Sequence, residues 1–123
     1  MVAVVIPNYN GTEYMKRCLA SLSKQSFADF CIIVADDCST DDSVAVCKEC
    51  APEAHVICRE QNGGFAAAVN DGIRRGMELG AEYILLLNND TEVAPDFVEQ
   101  LYKAASGAEK CFSEITSDVL VFD

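Results

Sequence analysis

Short apolar runs alternate along the chain with segments whose apolar residues recur at helical spacing. "VAVVI" (Val2–Ile6) has the pattern of a buried strand, and Pro7, which cannot donate to a ladder, is expected to close it. "NYNG" at 8–11 reads as a turn, with Asn10 and Glu13 at the spacing of a capping box. Residues 12–25 then place Tyr14, Met15, Cys18, Leu19 and Leu22 on one helical stripe. Phe30–Ala35 predicts a second buried strand. Ser39 with Asp42 predicts a second helix start, followed by Val44, Cys47 and Ala51 before Pro52. His55–Cys58 reads as a third strand, and "NGG" at 62–64 as a loop before a helix carrying Val69, Ile73 and Met77. Gly80 stands where that helix should end. Tyr83–Leu87 is a continuous apolar run, as in a sheet covered on both faces. Pro95 suits the first turn of a helix striped by Phe97, Val98, Leu101 and Tyr102, and Val119–Phe122 is a candidate last strand. No internal repeat or low-complexity linker interrupts the pattern.

Strand and helix thus alternate four times, which predicts an α/β fold: a parallel sheet with helices on both faces. In such sheets ligands sit beyond the carboxyl ends of the strands. Pro7–Gly11, Asp36–Thr40, Asn62–Gly64 and Asn88–Thr91 all follow predicted strand ends and should crowd one edge. Two of the apolar runs stop abruptly on acid, in "CIIVADDCSTDDS" (31–43) and "YILLLNNDTEV" (83–93). An ionised carboxylate only accepts hydrogen bonds, so Asp37 suits the N–H of a base or ribose hydroxyls. Asp90 suits a hard divalent metal, which in turn neutralises a diphosphate. The plainer reading, in which such acids cap the following helices, is preferred for Asp41 and Asp42. For Asp36, Asp37 and Asp90 the shared location favours a ligand. The loop Gln61-Asn62-Gly63-Gly64-Phe65 opens a helix and lets backbone approach phosphate closely. Asn-Gly is also a common turn dipeptide, and the loop is not G-x-G-x-x-G.

At 123 residues, half of them hydrophobic, the chain makes one folded domain. Nine basic against 20 acidic residues give a formal charge of −11, which argues against nucleic acid or an anionic membrane as partner. Any phosphate must be held locally, by backbone amides, a cation or a few basic side chains. No apolar run approaches the ~20 residues that span a bilayer. The first strand begins at Val2, leaving no room for a signal peptide, so the expected location is cytoplasmic or peripheral to the inner face of the membrane. Seven cysteines without a secretory signal predict free thiols. Cys47 and Cys50 match C-x-x-C but fall late in a predicted helix, where the dipole does not activate a thiol. Cys38 and Cys58 complete no zinc site, and His55, the only histidine, reads as structural.

"VVIPNYNG", "CLASLSKQSF", "IIVADDCSTDDS", "QNGGFAAAVNDGI" and "YILLLNNDTEVAPDFVEQL", in this order and spacing, resemble the N-terminal half of a family 2 glycosyltransferase. The resemblance runs from Val2 to about Tyr102. It implies an inverting enzyme of the Rossmann-like GT-A fold, with a mostly parallel sheet, active in polysaccharide biosynthesis on a UDP- or dTDP-sugar donor and a saccharide or other hydroxyl acceptor. It implies a nucleotide-sugar-binding half-domain over residues 1–107 and a divergent tail over 108–123 carrying the possible extra strand. By the same resemblance Pro7 and Tyr9 lie against the nucleoside, Asp37 bonds the base and Asp36 stands on the ribose side. Asn62, Gly63, Gly64, Phe65 and Asn70 match a segment near the donor. Asn88-Asn89-Asp90 stands at the D-x-D motif, with Asn89 near the nucleotide and Asp90 at the metal position for Mg or Mn. Asn88 replaces the usual first acid, which weakens the expected metal site. Such variants are familiar in rhamnosyltransferase-like members.

Such enzymes take their acceptor and general base from a second half that residues 103–123 do not resemble. The expectation is therefore a truncated or partner-dependent domain with no catalytic base assigned, whose uncovered apolar surface favours homo-oligomers. The alternatives are a nucleotide-sugar-binding module without transfer activity and, more remotely, a receiver-like signalling domain phosphorylated on Asp90.

Overall fold

A computed structural model describes residues 1–109 and 118–122. The order is β1 (Val2–Asn8), α1 (Thr12–Ser23), β2 (Phe30–Asp36), α2 (Ser43–Cys50), β3 (His55–Cys58), α3 (Phe65–Glu78), β4 (Tyr83–Leu87), α4 (Phe97–Glu109) and β5 (Asp118–Phe122). The strands form one sheet in the order β3-β2-β1-β4-β5, with every neighbouring pair parallel. β1 is central and all seven of its residues are buried. Its alternate side chains feed two cores. Val2, Val4 and Ile6 pack with Met15, Leu19 and Leu22 of α1, Cys47 of α2 and Val98 of α4. Ala3 and Val5 face Val69 and Ile73 of α3 on the other side. Helices therefore lie on both faces, as the continuous apolar strand runs predict. The receiver alternative fails on topology, because that fold's strand order is 2-1-3-4-5.

Pro7 does not close β1, contrary to expectation. Pairing with β2 runs from Val2↔Phe30 through Pro7↔Ala35 to Asn8↔Asp36, whereas pairing with β4 stops at Val5↔Leu86. The Asn8 carbonyl accepts from the Asp37 N–H at 2.9 Å, so Asn8 turns its backbone groups towards β2. Pro7, one residue earlier, turns towards β4, beyond the last paired residue, where its missing N–H costs nothing. The expected caps also differ. Gly11 and Asp42 stand at the N-caps of α1 and α2 without side-chain cap bonds, and Asn10 and Ser39 bond across to other loops instead.

α3 sits unusually close to the sheet. A Cβ at Gly72 would strike Val5 Cγ1, and one at Gly76 would lie 3.0 Å from Ala3 Cβ. The helix ends in a Schellman motif, with Gly80 at φ 83° and the Ala81 N–H donating to the Gly76 carbonyl at 3.1 Å. Its opposite end, Phe65, lies at the carboxyl edge of the strands. Among the described residues no helix is long and apolar enough to cross a membrane.

Two identical substitutions should act in opposite directions. Gly72→Ala is expected to lower stability by about 1–3 kcal/mol, overpacking outweighing the gain in helix propensity. Gly107→Ala, in α4 with nothing within 4 Å, should raise it by up to ~1 kcal/mol. Urea midpoints of the two variants check this, and shifts of the same sign would contradict it.

Candidate functional site

At the carboxyl edge the first polar residue of β1 is Asn8, 3 % exposed. Its Nδ2 donates to Asp36 Oδ1 and to Ser43 Oγ, both at 2.8 Å, and its Oδ1 accepts from Asn89 Nδ2 at 2.9 Å. One side chain thus links the ends of β2, α2 and β4. Asp36 is bonded from within the edge. It accepts from Asn8, from the Ser39 N–H at 2.9 Å and from the Ser39 hydroxyl at 2.6 Å. Asp41 belongs to the same network, bridging the Thr12 hydroxyl at 2.7 Å and the Ser43 N–H at 3.0 Å. Burial opposes its charge, yet the bonds from Ser43 and Thr12 prevail and hold its pKa down at about 2.

Asp37 points the other way, because successive strand residues face opposite sides of a sheet. Its Oδ1 accepts from the Gly63 N–H at 2.8 Å and from Arg59 Nε at 3.1 Å, and its Oδ2 from the Gly64 N–H at 2.7 Å. The Gly63 amide leads in depressing its pKa below the usual carboxylate range. Burial opposes that shift, and Gly64 and Arg59 add to it. Gly64 has φ 92°, a left-handed conformation that a side chain would strain. Arg59 continues the chain of contacts to Asp71 and to the Ala67 carbonyl of α3. Sequence reasoning missed Arg59. Its signal was available, for it is the single basic side chain in the four loops of this edge, facing Asp37, Asp41, Asp42, Glu60, Asp90, Glu92 and Asp96.

Between these elements lies a cleft of about 420 Å³, within the range of small-ligand pockets. β1 contributes Pro7 and Asn8, followed by Tyr9. The loop after β2 contributes Asp37, the start of α3 Asn62, Gly64, Phe65 and Ala68, and the end of β4 Asn88 and Asn89. Of the residues singled out from sequence, the cleft gathers Pro7, Tyr9, Asp37, Asn62, Gly64, Phe65 and Asn89. Gly63 stands behind it on Asp37. Asp36 does not line it, being held in the Asn8 network on the α1 and α2 side. Asn70 is exposed on α3, and Asp90 is exposed at the lip beside Asn89, both outside the lining. Asn8, not foreseen, is the residue that joins the two halves of the edge.

Residues 3–116 match the family described as Glycosyl transferase family 2. The chain belongs to this family. Among curated relatives it is 34 % identical over 104 residues to glycosyltransferase GlyA of Streptococcus pneumoniae serotype 4, covering 83 % of this chain and 14 % of that protein. To GlyG of the same organism it is 33 % identical over 106 residues, covering 84 % of this chain and 34 % of that one. It therefore spans well under half the length of either. Among solved structures, S. aureus TarS 1–349 in complex with UDP-GlcNAc superposes with TM-score 0.74 at 28 % identity, over 89 % of this chain and 31 % of that one. This family 2 domain thus has the α/β GT-A fold, and its cleft lies at the carboxyl edge where α/β sheets bind ligands.

The family implies a divalent cation, and the donor set at the lip is chemically compatible with one. Asp90 is an exposed carboxylate that follows Asn88 and Asn89 in sequence, and no cluster of three metal-binding side chains occurs among the described residues. Magnesium commonly takes one or two carboxylates and completes its shell with water and substrate phosphate oxygens. The C-x-x-C pair of the family 2 domain divides between core and surface. Burial pushes the Cys47 thiol up to about 12, and Cys50 is free and exposed.

Removing the central amide should be costly. Asn8→Ala removes the donor to Asp36 Oδ1 and Ser43 Oγ and the acceptor of Asn89 Nδ2, and is expected to lower stability by about 2–3 kcal/mol in urea unfolding. An unchanged midpoint would contradict that role. The pH dependence follows from Asp41. Its folded pKa is depressed, so its contribution is present above the ordinary value of 3.8 and is lost as pH falls towards about 2. Asp41→Asn should flatten the stability profile across that window, and an unaltered slope would contradict it.

Proposed function

We propose that this domain binds a nucleoside diphosphate sugar, a UDP- or dTDP-sugar, for inverting transfer to a hydroxyl acceptor. The observation that carries the reading is the meeting, in one cleft, of an ionised Asp37 set on the glycine loop with Asn88 and Asn89 from across β1, Asp90 standing exposed beside them. The likeness to TarS, whose structure holds UDP-GlcNAc, supports it. Three donors occupy the Asp37 carboxylate, which has about four acceptor sites. One remains for a ligand N–H, the group a uracil or thymine base offers.

The diphosphate meets an edge rich in carboxylates whose single basic side chain, Arg59, is already engaged by Asp37 and Asp71. Positive charge must come from elsewhere, and a divalent cation, which Asp90 would hold, would supply it against the diphosphate. The first-turn N–H groups of α3 open on the same cleft and add fixed partial charge. Among the described lining residues Asp37 is the only carboxylate, and its part is binding. The base that takes the acceptor proton therefore lies outside that lining, which keeps a second reading in play: a module that binds the donor without transferring it.

Thermal unfolding with nucleoside diphosphates, with and without Mn²⁺, tests the proposal. UDP or dTDP at a hundredfold excess over its dissociation constant should stabilise by about 2.7 kcal/mol. Asp37→Ala should abolish the response, and Asp90→Ala should remove its metal dependence. No response to any nucleoside diphosphate would refute the reading. Binding without sugar transfer or donor hydrolysis would favour the module.

A further inference from the structure

The cleft leaves its two aromatic side chains in water. Tyr9 is 52 % exposed and Phe65 60 % exposed. They border the same space from different elements, the end of β1 and the first residue of α3. Neither ring packs on another ring of the described molecule, whose aromatic pairs are Phe27–Tyr102 and Tyr83–Tyr102. The rest of the lining is Asn amide, Gly, Ala and Pro, apart from the Asp37 carboxylate. Exposed aromatic faces around a concave polar site are covered at a gain by a ligand with a flat apolar face of its own.

The position of Phe65 is not left to chance. The two residues before it, Gly63 and Gly64, donate their N–H groups to Asp37 at 2.8 and 2.7 Å. Gly64 then turns at φ 92° and Phe65 opens α3. Arg59 secures the same carboxylate and reaches Asp71, nearly two turns further along α3. The ring is therefore coupled through a short, hydrogen-bonded link to the acceptor that would read a base N–H.

We propose that Phe65 is a specificity-determining residue that stacks on the nucleobase of the bound nucleoside diphosphate, on the face opposite Tyr9, while Asp37 accepts from the base edge. This rests on the nucleotide-sugar reading above and adds a demand to it: the base must be planar and aromatic. A diphosphate alone offers Phe65 no such face.

The test compares two ligands that share phosphates, ribose and the base N–H but differ in planarity, UDP and 5,6-dihydrouridine diphosphate. Affinities are measured calorimetrically for the wild-type chain, Phe65→Ala, Phe65→Tyr and Tyr14→Ala. Tyr14 is exposed outside the cleft lining and serves as the control. Phe65→Ala should weaken UDP binding about tenfold and dihydrouridine diphosphate less than twofold, since stacking on an aromatic face distinguishes them. Phe65→Tyr should keep UDP affinity, and Tyr14→Ala should change neither. The inference is overturned if Phe65→Ala leaves UDP binding intact, or if it weakens both ligands equally, which marks a displaced loop. A wild-type chain that binds neither ligand removes the nucleotide reading itself and this inference with it.

Discussion

A single buried amide, Asn8, joins what would otherwise be two separate loop clusters. Every residue of β1 before it is apolar or Pro and is covered by helices on both faces, so polar chemistry has no place until the strand runs out. Where it does, the Nδ2 of Asn8 ties β2 and α2, and its Oδ1 ties β4. Buried polar groups persist only when paired, and this residue pairs itself and three others at once. The cleft stands on that junction.

The alternation of strand side chains then divides two adjacent acids between two tasks. Asp36 lies on the α1 and α2 side and is held there by Asn8 and Ser39. Asp37 lies on the α3 side and holds the glycine loop that begins the helix. Cys38 (φ 63°) and Asn10 (φ 52°) adopt left-handed turns directly after the strand ends, folding their loops back onto the edge. The negative field of those loops and the commitment of Arg59 to internal carboxylates explain why an anionic donor would need a cation and backbone amides.

Much of the fold was legible because two-sided burial leaves strong apolar runs. β3 and β4 match their sequence boundaries, and α3 ends at the glycine that signals it. The misjudged places share one cause, partners distant in sequence. Pro7 escapes the rule against proline in central strands because the neighbour it faces has already stopped pairing. Asn10 has the spacing of a cap but serves Thr40 and Asp41, thirty residues away. Asp36 and Asp37 follow one apolar run, and strand periodicity sets them on opposite faces. Arg59 and Asn8 were overlooked because a hub shows itself only through its contacts.

The claim on which everything turns is that ligand binding is confined to the carboxyl edge of the sheet. Backbone amide chemical shifts recorded during titration with UDP test it most directly. Residues 8–10, 37–39, 62–68 and 88–91 should shift together, while Glu53, Ala54 and Leu79–Glu82 at the opposite edge stay in place. Shifts concentrated at that opposite edge, or scattered over the outer helix surfaces with Gly63 and Gly64 unmoved, would contradict the account.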